Sequence, residues 1–406
     1  MTERVVRLDS GLTVAIDEMA TTRSVSVGVW VPVGSRDEEV ELAGVSHFLE
    51  HLLFKGTPTR SARDISRQVD RVGGDVNAYT AKEHTTFYCR MPARHAVDAV
   101  ALLADVVCSP SLDPADVESE RQVILEELAM DDDVPDEVVH RVFAEQLFPG
   151  HPLGRDTGGD RETVRRISTG DVRGFHERYY GASSMVVSIA GAVDVDEMLS
   201  AVERSFAVGA PRAERPIRTA PSGVGPDRHL HDETEQVHMV IGGRGLGRRD
   251  PDREALDVVN HALGGGLSSR LFDEIRERRG LVYSVFSGVG GYEDAGVWSV
   301  YAGTQPEHAD TVRHLIGEII DSMAAGGVTE DELAVAVGYL VGAYELGLED
   351  SGARMSRLGG MLTLLGEVRP VEEQIARWEA VSLDDTARVA REILTTGRTM
   401  VSVGPT

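Results

Sequence analysis

The stretch Val45-Ser46-His47-Phe48-Leu49-Glu50-His51-Leu52-Leu53 decides how this chain is read. Its apolar residues, Val45, Phe48, Leu49, Leu52 and Leu53, recur at helical spacing and predict a helix with one buried side. His47 and His51 stand one turn apart, so both imidazoles leave the same face. Glu50, three residues after His47, shares that edge. Before this helix lies a β-rich run at 25–33. After it come a Gly73-Gly74 turn, strand-like segments at 75–79 and 85–91, and helical patterns at 95–107 and 114–130.

The same order of elements returns in the second half. Residues 237–242 are strand-like, 253–263 helical, 280–291 and 296–303 strand-like, and 307–324 and 329–348 helical. A shift of 210 lays His47 on Asp257, Glu50 on Asn260 and His51 on His261. A shift of 216 lays Glu120 on Ala336 and Glu127 on Ala343. The predicted fold class is therefore α+β: two tandem homologous α/β domains, each a mostly antiparallel sheet packed against helices. The expected division is 1–208, a linker at 209–227 carrying Pro211, Pro216, Pro221 and Pro226, and 228–406. The second copy has lost most of the ionisable residues that stand out in the first. Packing does not require that joint loss; a site needed once does.

The composition frames this reading. A chain of 406 residues has enough length for two cores, and 41% hydrophobic with 27% charged residues suits a globular protein. No apolar run approaches the roughly 20 residues that cross a bilayer. The N-terminus alternates like a strand and lacks the layout of a signal peptide. Two cysteines, Cys89 and Cys108, are too few for a thiolate-built zinc site and fit a reducing compartment. A cytoplasmic protein is expected. Its 41 Lys and Arg against 67 Asp and Glu leave a net charge of −26, a field that repels nucleic acid and anionic lipid. Solubility alone accounts for such a charge, and a basic peptide substrate is the sharper alternative.

Two neutral imidazoles one turn apart can chelate a metal, and zinc held this way keeps its charge for polarising water. Glu50 stands where a general base would accept the proton. A third ligand must come from elsewhere, and the acidic helix with Glu118, Glu120, Glu126 and Glu127 is the best supply. Glu120 and Glu127 are two turns apart on one face, about 10.5 Å along the axis, so one would ligate and the other orient. Spacing does not choose between them.

The segment from Ala43 through His47-Phe48-Leu49-Glu50-His51 to Lys55-Gly56-Thr57 resembles the inverzincin metallopeptidases of the pitrilysin and mitochondrial processing peptidase family, with their inverted His-x-x-Glu-His motif. The resemblance runs over nearly the whole chain and is to the bacterial single-gene, two-domain type. It implies a zinc endopeptidase with one Zn2+ per chain on His47, His51 and Glu127, leaving Glu120 as the nearby second acid. Gly73-Gly74-Asp75-Val76-Asn77-Ala78-Tyr79-Thr80 is similar to the family's substrate strand, so Asn77 and Ala78 would touch the peptide backbone. Gly264-Gly265-Gly266 resembles its glycine-rich loop. Arg276 and Tyr283 fall where the family places an Arg and a Tyr that reach the substrate. By analogy two chains would pair as a homodimer, the second domain of one facing the first domain of its mate. A subunit of this family that lost catalysis would lack one of His47, Glu50, His51 or Glu127; all four are present. A zinc hydrolase acting on other substrates is disfavoured only by the resemblance.

Overall fold

The computed structural model describes residues 3–207 and 213–405. Residues 1–2 of the expected N-terminal strand and 208–212, which include the start of the expected linker, lie outside the described residues. The strands are β1 (Glu3–Arg7), β2 (Thr13–Glu18), β3 (Ser24–Val31), β4 (Asp75–Thr80), β5 (Thr85–Pro92), β6 (Val186–Gly191), β7 (Arg228–His231), β8 (Val237–Gly245), β9 (Val282–Gly291), β10 (Gly296–Thr304) and β11 (Thr399–Gly404). The helices of the first half are α1 (Val45–Leu53), α2 (Ala62–Asp70), α3 (Ala96–Cys108), α4 (Pro114–Asp132), α5 (Pro135–Leu147), α6 (Arg161–Arg166), α7 (Thr169–Tyr179) and α8 (Val195–Ser205). Those of the second are α9 (Arg253–Asn260), α10 (Ala309–Gly326), α11 (Glu330–Gly347), α12 (Ser351–Leu365), α13 (Val371–Glu379) and α14 (Leu383–Thr395).

Two sheets result, ordered β1-β2-β6-β3-β5-β4 and β7-β11-β8-β10-β9. Matching β2 to β7, β6 to β11, β3 to β8, β5 to β10 and β4 to β9 superposes the orders, with β1 as an addition. Each sheet contains one parallel pair, β2 with β6 and β11 with β7; the other neighbours are antiparallel. The duplicated α+β architecture read from the sequence is therefore the observed one. The helix expected over 253–263 ends earlier: α9 stops at Asn260, and a π-helical turn continues through His261–Gly265, where consecutive glycines weaken the α-helical ladder.

The chain divides into two compact units, and each unit draws on both halves of the sequence. The first comprises residues 1–128, 155–218 and 345–368; the second comprises 129–154, 219–344 and 369–406. Period-2 alternation along β3 explains the first unit's layers. Val25, Val27, Val29 and Val31 enter the main core with Phe48, Leu49, Leu52 and Leu53 of α1 and Leu102, Leu103 and Val106 of α3. Trp30 lies on the opposite face in a smaller cluster with Met355 of α12. Helix α12 approaches so closely that a Cβ at Gly359 would fall inside the Trp30 indole. Ser26 and Ser351 join hydroxyls at 3.0 Å across the same contact.

The second unit repeats the arrangement with α5. Its Val139, Val142 and Phe143 pack on Val240, Val401 and Val403, opposite the core built by Leu256, Val258, Ile316 and Ile393. A shift of 216 lays α5 on α12, so the two copies of one helix are exchanged between units. Residues 213–227 of the expected linker contain neither helix nor strand. Within that stretch Arg218 pairs with Asp37 at 2.8 Å in the first unit.

Candidate metal centre

Helix α1 begins at a built N-terminus. Gly44 is its N-cap, with φ 95°, and the buried Glu38 carboxylate accepts the N–H groups of Gly44 and Ser46, each at 2.8 Å. Those two donors would otherwise be orphaned in the interior. Burial nonetheless raises the Glu38 carboxyl to about 7, and the two backbone hydrogen bonds oppose that rise. Phe48, Leu49, Leu52 and Leu53 are buried, so the remaining edge of α1 presents His47, Glu50 and His51.

The third side chain comes from α4. Val117, Ile124 and Leu128 of α4 enter the core and set its rotation. That rotation brings Glu120 and Glu127 to α1 at different heights. His47 Nε2 lies 3.3 Å from His51 Nε2, and His51 Nε2 lies 3.5 Å from Glu127 Oε2. Among the described residues, His47, His51 and Glu127 form the one group of three whose ligand atoms all lie within 4.8 Å of one another. Glu120 instead meets the other nitrogen of His51, with Oε2 3.2 Å from Nδ1. A carboxylate only accepts, so Nδ1–H donates to Glu120 and the Nε2 lone pair faces Glu127 and His47.

This donor set fits zinc. Atoms about 2.0–2.1 Å from a tetrahedral ion stand about 3.3–3.4 Å apart, close to the two separations seen here. Burial is the main cause that lowers the His47 pKa, with the neighbouring His51 adding to it; Glu50, Glu127 and Asp156 act in the opposite sense. The imidazole is therefore held neutral, the form that binds metal. Its Nδ1 is buried without a hydrogen-bond partner among the described residues.

Glu50 accepts a hydrogen bond from Thr80 Oγ1 at 2.5 Å, which ties it to the end of β4. That strand is the outer strand of its sheet, pairing among the described residues with β5 alone. Asn77 on it is exposed, and its Oδ1 accepts the Ala78 N–H at 2.8 Å. Arg276 and Tyr283 belong to the second unit, where the Arg276 guanidinium lies 5.7 Å from the Tyr283 ring centroid. Tyr283 is 79% exposed. In the same unit His261 stacks on Tyr339 at 4.2 Å, and Gly266 packs against its ring. The glycine-rich loop thus closes over the second copy's remaining histidine.

The sequence reading assigned no role to Lys55, Glu38 or Asp156, and took Thr80 only as part of the substrate strand. Lys55 Nζ lies 2.5 Å from Glu120 Oε1. Its position four residues after His51 was a visible signal. Thr80 and Asp156 carry no such signal, because they act on Glu50 and His47 from far away in sequence, whereas Glu38 meets the nearby Gly44 and Ser46 through backbone N–H groups that side-chain spacing does not reveal.

Comparison with known proteins gives two matching families. Residues 13–161 match the family described as Insulinase (Peptidase family M16), and residues 166–340 match the Peptidase M16 inactive domain. A protein of Streptomyces coelicolor named an uncharacterized zinc protease is 40% identical over 412 residues, covering 100% of this chain and 90% of that protein. One of Mycobacterium tuberculosis with the same description is 43% identical, covering 99% and 93%. Another, from Bacillus subtilis, is 34% identical, covering 98% and 97%. Among solved structures, a peptidase M16 inactive domain from Pseudomonas fluorescens superposes with a TM-score of 0.93 at 20% identity, covering 100% of this chain and 98% of that one. A protease from Helicobacter pylori gives 0.92 at 23%, covering 100% and 99%. At those identities the two structures speak for the fold.

Proposed function

Because this chain belongs to peptidase family M16, the pitrilysin family of metallopeptidases, we propose that it is a zinc-dependent endopeptidase cutting short or unfolded peptides. The observation that carries this reading is the convergence of His47, His51 and Glu127, with Glu50 on the same helical edge. We assign one zinc ion per chain to those three residues. When bound, zinc supplies Lewis-acid polarisation of water and of the scissile carbonyl. Glu50 accepts the proton of the attacking water and returns it to the leaving amine. Thr80 holds one Glu50 oxygen and leaves the other for that exchange.

The free edge of β4 at Asn77 and Ala78 suits a peptide added as a further strand, a mode that reads backbone more than sequence. Arg276 and Tyr283 would hold the substrate carbonyl and stabilise the developing oxyanion. We assign them to the partner's site in a homodimer, with 1–208 as the metal-binding domain, 209–227 as the linker and 228–406 as the domain carrying the Arg/Tyr pair. The charge of −26 supports a preference for peptides rich in Arg or Lys. Among the described residues no helix is long and apolar enough to cross a membrane.

The test is cleavage of a mixed peptide pool followed by mass spectrometry, comparing wild type with Glu50→Gln. Products formed by the wild type, abolished by a chelator and reduced at least 100-fold in the variant at equal zinc content, support the reading. Zinc-loaded wild type that cuts nothing refutes it and favours a non-catalytic subunit.

A further inference from the structure

We propose that Lys55 is a positioning residue of the metal centre, anchoring Glu120 so that Glu120 in turn fixes the ring of His51. The inference rests on the assignment of His47, His51 and Glu127 as ligands. Glu120 has a side chain only 5% exposed, and its two oxygens are divided between two partners. Oε2 takes the His51 Nδ1–H at 3.2 Å, and Oε1 takes the Lys55 ammonium at 2.5 Å. Among the described residues these are the only polar partners of that carboxylate. Water is largely excluded from it, so the ammonium is what compensates the charge and limits rotation about the last torsion.

The backbone explains how Lys55 reaches this place. Helix α1 ends at Leu53, Phe54 is its C-cap, and the Lys55 N–H closes on the Leu52 carbonyl at 3.1 Å. Lys55 therefore continues the turn that carries His51, one turn further on, and both side chains converge on the same carboxylate of α4. A cation there also faces the negative end of the α1 dipole. An ordinary surface ion pair would leave both partners in water and contribute little. Here one partner is buried and touches a ligand directly, so losing the cation frees the group that orients His51. Disturbing such outer partners commonly weakens metal binding about 10–100-fold.

The experiment measures zinc dissociation constants by chelator competition, with thermal unfolding of the metal-free proteins alongside. It uses wild type, Lys55→Met, Lys55→Arg, Glu120→Gln and the double variant Lys55→Met/Glu120→Gln. Zinc binding about tenfold weaker in Lys55→Met is expected, with recovery to within about threefold in Lys55→Arg. Adding Lys55→Met to Glu120→Gln should change the constant by less than about twofold, because the anchored group is already altered. Wild-type affinity in Lys55→Met beside a weakened Glu120→Gln overturns the role of Lys55 alone. So do fully additive effects of the two substitutions, or a fall in metal-free stability with zinc affinity unchanged. A wild type that binds no zinc removes the ligand assignment and this proposal with it. If Lys55→Met does not fold, Lys55→Gln supplies the same comparison.

Discussion

Replacing Gly44 by alanine should disrupt the metal helix far more than the same change at Gly73. Both glycines have positive φ, 95° and 67°, and both lie in the first unit. Placing alanine in that region costs about 1–2 kcal/mol on backbone grounds alone. Around Gly73 a new Cβ meets nothing within 4 Å. At Gly44 it would overlap the Gly158 carbonyl oxygen, with the Gly158 carbon at 3.0 Å and Gly159 Cα at 3.1 Å. These are backbone atoms, and Gly158 is itself held by its N–H to Asp156 Oδ1 at 2.8 Å. Relieving the overlap means shifting either the start of α1 or the 155–159 segment against His47. Overpacking of that kind adds about 1–3 kcal/mol. The total for Gly44→Ala is then about 2–5 kcal/mol, against about 1–2 for Gly73→Ala.

Hydrogen–deuterium exchange of the α1 amides reads this locally. Exchange at 45–53 should quicken from about 30-fold to several thousand-fold in Gly44→Ala and no more than about 30-fold in Gly73→Ala. Zinc affinity, measured by chelator competition, should fall only in the former. Equal exchange in the two variants with unchanged zinc affinity would refute the claim that backbone contact between 43–44 and 158–159 seats His47.

Two further outcomes can be measured directly. His176 is partly buried and donates Nε2–H to the Val107 carbonyl at 2.8 Å, and desolvation lowers its pKa below 6.5. As pH falls, the unfolded chain takes up this proton before the folded one, so the stabilisation present above pH 6.5 is lost on descending through the folded pKa. Urea unfolding between pH 7.5 and 5.5 should show a shallower loss for His176→Gln than for wild type; an identical slope would exclude the histidine as a source. For the proposed pairing of chains, Glu50→Gln and Tyr283→Phe protomers mixed in equal amounts should recover about a quarter of wild-type cleavage, since half the dimers would hold one intact site. Activity no greater than the average of the two parents argues for sites completed within one chain.

Local spacing carried much of this protein's architecture. The apolar stripe of α1 and the valine alternation of β3 are short-range patterns that commit each segment to one face. The repeat at 210 and 216 residues then made the duplicated sheets legible before any contact was known. The His47, Glu50 and His51 edge follows from helical geometry alone. What lies beyond one element required the folded chain. Glu120 and Glu127 share a face of α4, and only its packing through Val117, Ile124 and Leu128 sets which carboxylate meets which nitrogen of His51. Helices α5 and α12 hold equivalent places in the repeat, yet each packs in the unit that holds the other half's sheet, a choice made by long-range burial against Val240 and Trp30. Lys55 and Thr80 act on partners brought near by tertiary packing, and sequence distance conceals such pairs. Periodicity records which side of an element is buried; which groups meet across that burial is decided by the packing of whole elements.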